Sequence, residues 1–378
     1  MKIVFATDAI KYPLTGIGRY ALELINQLQQ APEITQLRYF RGLHIGDRLP
    51  EYHVQPSASG ALPGWLKRRA LLIEAFRAIY PRLQKRALRP YKDFLYHSPN
   101  YYLPAGLPRA ITTFHDISVF TTPEFHPSGR VRYLAQEMEA SLTRASRIIT
   151  VSEFSKRELV RYFNYPAAKI DVTCLACSEV FYPRAAASAV APLMQRLELS
   201  AEGYSLFTGT IEPRKNLTVL LDAYEQLPQA LRQRYPLVLS GYKGWGSGAE
   251  HQRFERGSRE GWVKYLGYVA QEELPILFAA ARLFVFPSLY EGFGLPVLEA
   301  MASGVPVVCS NAASLPEVAG DAAFICEPQD VDALSAGIAR GLQDEAWRTQ
   351  ARVAGLANAQ KFSWQRCAQD TIKAYFKV

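Results

Sequence analysis

Short apolar, β-branched runs alternate with helix-length segments along this chain, and the alternation pauses at one small-residue stretch before starting again. That double rhythm constrains the fold most, because strand–helix alternation builds a parallel sheet covered by helices. Strands are predicted at 3–7, 94–97, 110–114, 147–151 and 170–175, and Ile17, Tyr20, Leu24 and Leu28 share one helical face after the first. The stretch 183–192, bounded by Pro183 and Pro192, reads as a linker. Beyond it strands are predicted at 205–209, 237–240, 263–266, 283–286 and 305–309, and helices at 217–226, 272–281 and 296–302. A chain of 378 residues is too long for one core. The expected class is therefore α/β, with two doubly wound, Rossmann-like domains at 1–182 and 183–363 and a ligand cleft between them. A final helix over about 364–378 is expected to pack back onto the first domain.

The segment 290–308 carries the sharpest chemistry. It reads as a glycine loop, a helix with Pro296 in its first turn, and a Val-Pro-Val-Val strand. Gly292 and Gly294 let backbone N–H groups approach a ligand, and the helix start behind Phe293 and Leu295 supplies free donors and a partial positive charge. Such a place binds phosphate. Glu291 and Glu299 frame it, and carboxylates beside a phosphate are suited to accept hydrogen bonds from the hydroxyls on either side, as on a nucleotide sugar. Arg214 and Lys215 follow the strand that ends at Gly209 and precede a helix. The dipole there disfavours cations unless an anion is present, so the pair reads as a diphosphate clamp.

The segment Glu291 to Glu299, an E-x7-E pattern, together with the run from Gly209 to Leu217, resembles the retaining GT-B glycosyltransferases of family GT4. The resemblance covers essentially the whole chain, with specific motifs in its second half and looser ones in the first. Bacterial mannosyl- and rhamnosyltransferases that build O-antigen and other surface polysaccharides are the most similar groups. The resemblance implies a donor-binding C-terminal domain, an acceptor-binding N-terminal domain, retention of the donor's configuration, and no bound metal or other cofactor. It places His115, at the end of a predicted strand beside Asp116, near the donor sugar. It sets the loop holding Gly16, Gly18 and Arg19 beside the donor phosphates and the acceptor, and the segment holding Tyr268 and Val269 against the nucleobase. A GDP-linked hexose is the expected donor, with a UDP sugar, another GT-B reaction such as epimerisation or phosphorolysis, and a non-catalytic nucleotide-sugar-binding scaffold as the alternatives.

Charge divides the chain unevenly. Residues 1–182 hold 24 Lys and Arg against 15 Asp and Glu, a net of +9, whereas 183–378 hold 19 against 20, a net of −1. Between Gly64 and Lys92 the basic residues, among them Lys67, Arg68, Arg69, Lys85 and Arg86, are interleaved with aromatic and aliphatic ones and opposed by Glu74 alone. This reads either as a helix on an anionic membrane surface or as a solvated helix face. A lipid-linked glycan acceptor fits the first reading. Nucleic acid fits poorly, since no binding module accompanies the charge. The five cysteines have no disulfide or zinc spacing, and Cys174 and Cys177 form a lone C-x-x-C. No secretory signal or membrane span is read in the sequence, so a cytoplasmic protein is expected, with peripheral attachment to the cytoplasmic face of the inner membrane as the variant that the basic segment suggests. Ser155 with Glu158 reads as a capping box.

Overall fold

In a computed structural model, residues 1–49, 70–184 and 187–378 are described. The first sheet contains β1 (Lys2–Ala6), β2 (Gln36–Arg41), β3 (His44–Gly46), β4 (Leu95–Ser98), β5 (Ala110–Phe114), β6 (Arg147–Thr150) and β7 (Ile170–Val172). Its order is β3-β2-β1-β4-β5-β6-β7, parallel throughout except for the β2–β3 hairpin. The second contains β8 (Ser205–Thr208), β9 (Leu237–Ser240), β10 (Val263–Gly267), β11 (Leu283–Phe286), β12 (Val307–Ser310) and β13 (Ala323–Cys326). Its order is β10-β9-β8-β11-β12-β13, all parallel. The expected pair of doubly wound sheets is present. β4, β5, β8, β9, β11 and β12 are buried along their whole length, as strands covered on both faces must be.

Seven helices matter for the site: α1 (Gly16–Leu28), α2 (Ala70–Leu88), α3 (Ser128–Arg144), α4 (Glu153–Phe163), α5 (Leu217–Gln226), α6 (Leu295–Ala302) and α7 (Trp364–Tyr375). α1 buries Tyr20, Leu24 and Leu28 on one face, and α7 packs on it. The side chains of Trp364, Cys367, Ile372 and Tyr375 are buried there. Tyr375 hydrogen-bonds His97 of β4 at 2.6 Å, and Arg109 donates to the Val378 carbonyl at 2.9 Å. α7 thus completes the N-terminal domain from the far end of the chain.

Three features differ from the sequence reading. β2, β3 and β13 are additional strands, and each lies at or near a sheet edge, where one-sided exposure lets charged residues such as Arg38 and Arg41 interrupt the apolar pattern. The stretch read as a linker holds a helix, Ala187–Arg196, that buries Val190, Leu193 and Met194. Small alanines suit a linker but are also the strongest helix formers. The cap of α4 is Ser152, whose hydroxyl accepts from the Ser155 N–H, so Ser155 is the third helical residue and not the start of a capping box with Glu158.

Candidate active site

Sheet order puts the site where it is. β8 and β11 are neighbours in space, and the chain runs from β8 toward one edge of the sheet and from β11 toward the other. Loops leaving such a switch point diverge and open a crevice at the strand ends. The loop after β8 carries Gly209 to Lys215, and the loop after β11 carries Tyr290 to Gly294. They face the N-terminal domain across a cavity of about 830 Å³. Gly16, Arg19, His115, Asp116, Gly209, Arg214, Lys215, Tyr268, Val269, Glu291, Gly292, Phe293, Gly294, Leu295 and Glu299 all line it.

Gly18 does not. It is buried in the first turn of α1, where its N–H donates to Thr15 Oγ1 and a Cβ would stand 2.9 Å from the Ala9 carbonyl oxygen. Its work there is to close the turn. Gly292 lines the cavity, but a Cβ on it would lie 2.1 Å from the His115 carbonyl oxygen. Absence of a side chain lets the two domains touch at this point. Gly294, at φ +114°, caps α6 in a conformation that suits glycine. Phe293 contributes backbone only, since its ring is buried edge-on against Phe362.

Both cations are ion-paired. Lys215 is 7% exposed, and its Nζ lies 2.5 Å from Glu291 Oε1 and over the Phe286 ring. Arg214 donates to Glu291 Oε2 at 2.9 Å, to Glu212 at 2.7 Å and to the Tyr290 carbonyl at 2.6 Å. Burial works against the Glu291 charge, but the flanking guanidinium and ammonium hold its carboxyl at about 2. Lys215 is lowered by burial and by Arg214, and Glu291 opposes both. With Glu212 these side chains form one compensated cluster, two cations against two carboxylates, at the mouth of the α6 anion site. Glu291, expected to meet sugar hydroxyls, therefore also neutralises the clamp.

Glu299, one turn into α6, is differently placed. Burial raises its carboxyl to about 7, and its cationic partner among the described residues is Arg19 of the other domain, at a loose 3.5 Å. His115 is lowered by burial and donates from Nε2 to the Pro99 carbonyl at 2.9 Å. A neutral ring with Nε2 protonated leaves Nδ1 as an acceptor. Asp116 Oδ1 accepts from the Ser118 N–H and hydroxyl, so it shapes the loop beside His115. Tyr268, 47% exposed, stacks on Tyr242 with centroids 4.6 Å apart.

Several cleft residues escaped the sequence reading. Tyr242 and Trp245 come from the glycine-rich loop after β9, and Trp245 donates across the domain boundary to the Phe125 carbonyl at 2.7 Å. Gly241, Gly244 and Gly246 were the available signal. Ser152 donates to the Gly292 carbonyl at 2.7 Å, and Glu317 accepts from the Glu153 and Phe154 N–H groups at the start of α4. Neither contact has a sequence signature, because each joins residues more than 100 positions apart. Lys85 and Arg86 line a separate cavity with Arg82, Arg89 and Lys92. Lys67, Arg68 and Arg69 lie outside the described residues. Among the described residues no cluster of His, Cys, Asp and Glu could hold a metal ion, and no helix is long and apolar enough to cross a membrane.

Residues 194–360 match the family described as glycosyl transferases group 1, and residues 14–174 match glycosyltransferase family 4. The chain is 55% identical to an O-antigen chain mannosyltransferase B of Escherichia coli over 99% of both chains. It is 31% identical over 75% of its length to the serotype-specific mannosyltransferase WbdA of Escherichia coli, of which that match covers 36%. Its fold is similar to that of sucrose-phosphate synthase from Thermosynechococcus elongatus, with a TM-score of 0.71 at 23% identity over 100% of this chain and 98% of that one. HepE of Anabaena, crystallised with UDP and glucose, gives a TM-score of 0.71 at 20% identity over the whole of both chains.

Proposed function

Because the chain belongs to the family 4 glycosyltransferases, we propose that it is a retaining mannosyltransferase that moves mannose from GDP-mannose to a glycan, carried on a lipid, in O-antigen assembly. The buried Arg214–Lys215–Glu291 cluster at the start of α6 is the observation that carries this reading. A nucleoside diphosphate leaves with growing negative charge, and fixed cations and helix N–H groups stabilise that charge without reorganising. The 55% identity to an O-antigen mannosyltransferase over the full length favours mannose over rhamnose as the sugar.

In the proposed reaction the acceptor hydroxyl attacks the anomeric carbon from the face the diphosphate leaves. One carbon–oxygen bond forms, the bond to phosphate breaks, and the hydroxyl proton passes to the departing phosphate oxygen. Arg214 and Lys215 take up the leaving charge, Glu291 orients sugar hydroxyls while balancing the clamp, and Glu299 accepts from the ribose. His115 Nδ1 accepts from a hydroxyl of the transferred sugar. The nucleobase stacks on Tyr268, with backbone of the Tyr268–Val269 segment at its edge. The cations do the work a divalent ion would do, so turnover should persist in EDTA.

The cavity of about 690 Å³ lined by Arg82, Lys85, Arg86, Arg89 and Lys92 has no carboxylate among the described residues of its wall and has Leu88 and Leu107 at its side. That composition supports attachment to an anionic membrane surface. Incubating the protein with GDP-, UDP- and dTDP-hexoses, then reading the product's anomeric linkage by NMR, tests the whole reading. α-Mannoside formed from GDP-mannose is the expected result, and an inverted linkage or transfer from another nucleotide sugar alone would refute it.

A further inference from the structure

The first sheet has a switch point of its own. β1 and β4 are neighbours whose outgoing chains run to opposite edges, as β8 and β11 are in the second sheet. The crevice rule places a ligand there too, and the donor accounts only for the second sheet's crevice. The gap beyond β1 and β4 is a cavity of about 600 Å³, within the range of small-ligand sites.

Its walls differ from those of the basic cavity further along α2. Tyr80, Tyr96, Tyr101, Tyr102 and Tyr133 surround it. The phenol of Tyr80 donates to the Gly42 carbonyl at 3.2 Å, and that of Tyr102 donates to Gln84 Oε1 at 2.7 Å, with Gln84 itself 3% exposed. Tethered at their tips, these rings are held in place before any ligand arrives, which lowers the entropy cost of binding. Side-chain amides of Gln84, Asn100 and Gln136 and the carboxylates of Asp8 and Glu137 stand between the rings, with Lys11 as the one cation among the described residues of the wall. A phosphate ligand would call for the reverse balance, such as the five cations of the neighbouring cavity. Flat apolar faces interleaved with hydrogen-bonding amides and carboxylates suit an uncharged polyol, whose C–H faces lie on rings and whose hydroxyls need partners. Thr15 and Ile17, in the first turn of α1 and its cap, line both this cavity and the donor cleft. A saccharide seated here reaches the cleft past one helical turn.

We propose that the tyrosine-walled cavity is the subsite that binds the non-reducing end of the acceptor glycan, selecting an uncharged hexose unit. This rests on the glycosyl-transfer reading of the cleft, and the test separates the two. Tyr133, whose ring is 43% exposed, and Gln136 both sit on the outer face of α3, so Tyr133→Ala and Gln136→Trp can empty or block the cavity without touching the core. Methyl α-mannoside and an α-linked mannobiose are titrated against the wild type and both variants by ligand-observed NMR, and transfer from GDP-mannose to the same probes is measured in parallel. Thermal melting checks that each variant is folded. The expected result is a tenfold or greater weakening of probe binding and an equal rise in acceptor KM, with donor KM and the slow hydrolysis of donor without acceptor within twofold of wild type. Unchanged acceptor KM in both folded variants, or a wild type that binds neither probe, overturns the subsite. Probe binding that both variants abolish, in a protein that transfers from no nucleotide sugar, sustains the subsite and defeats the transfer reading instead.

Discussion

The two walls of the cleft are built by the same β/α scheme and handle charge in opposite ways. The C-terminal wall concentrates it: Arg214, Lys215, Glu212 and Glu291 lie within one ion-paired cluster, at the start of a helix. The N-terminal wall presents a neutral histidine, a capped aspartate and a single arginine, Arg19. Yet the N-terminal half carries the surplus of positive charge. Some of that surplus lies away from the cleft, in the cavity at the end of α2. Charge placed at the reacting centre is compensated and buried, whereas the uncompensated charge serves attraction over a surface.

If the C-terminal wall stabilises the transition state, Lys215→Ala should cause the largest loss, on the order of 10²–10³-fold in kcat. Donor Kd by calorimetry should change only severalfold, because the leaving-group charge peaks after binding. A Kd that weakens as much as kcat would erase the distinction between clamp and simple binding site. On the other wall, His115→Ala should lower kcat/KM by about tenfold, the value of one or two neutral hydrogen bonds. Since burial keeps His115 neutral, the wild-type rate should show no His115 titration between pH 6.5 and 8. A limb in that range that vanishes in the variant would mean the ring works as a cation.

Glu299 tests the seam between the walls. Its native carboxyl keeps its proton up to about pH 7, while an unfolded glutamate releases it near 4.5. The native state therefore binds more protons between those values, and stability falls as pH rises through that window, by roughly 3 kcal/mol at most. Melting temperatures of donor-free wild type should decline from pH 4.5 to 7 relative to Glu299→Gln, which has no such proton to lose. Parallel curves for the two proteins would contradict the raised carboxyl. Glu291 acts with the opposite sign, its stabilisation being lost as pH falls from 4.5 toward 2. The smallest effect on turnover is expected from Lys85→Glu with Arg86→Glu. Sedimentation with phosphatidylglycerol vesicles should weaken severalfold while transfer to a soluble saccharide stays within twofold, and unaltered sedimentation would make that cavity a solvated face.

The walls also differ in how far they could be read from residues in a row. Glu291, Gly294 and Glu299 belong to one strand–loop–helix unit, so their spacing alone sets them on one crevice. The Arg19–Glu299 contact spans 280 positions and depends on how two domains meet, which local pattern does not encode. Gly18 shows the converse: the resemblance sets its loop beside the donor, but the Ala9 carbonyl behind it explains the absence of a side chain equally well. β2 and β13, next to and at a sheet edge, stayed hidden because partial exposure dilutes the apolar alternation that marks the central strands.

The crossing of α7 has a consequence for the order in which the molecule is made. The face of α1 that holds Tyr20 and Leu24 is covered by residues translated more than 300 positions later. His97 of β4 and Arg109, just before β5, also wait for Tyr375 and Val378. The earlier-made domain thus stays unfinished until residues 364–378 are made. A nascent chain therefore carries an open apolar seam on its older half, one that holdase chaperones can recognise, until the helix that seals it emerges.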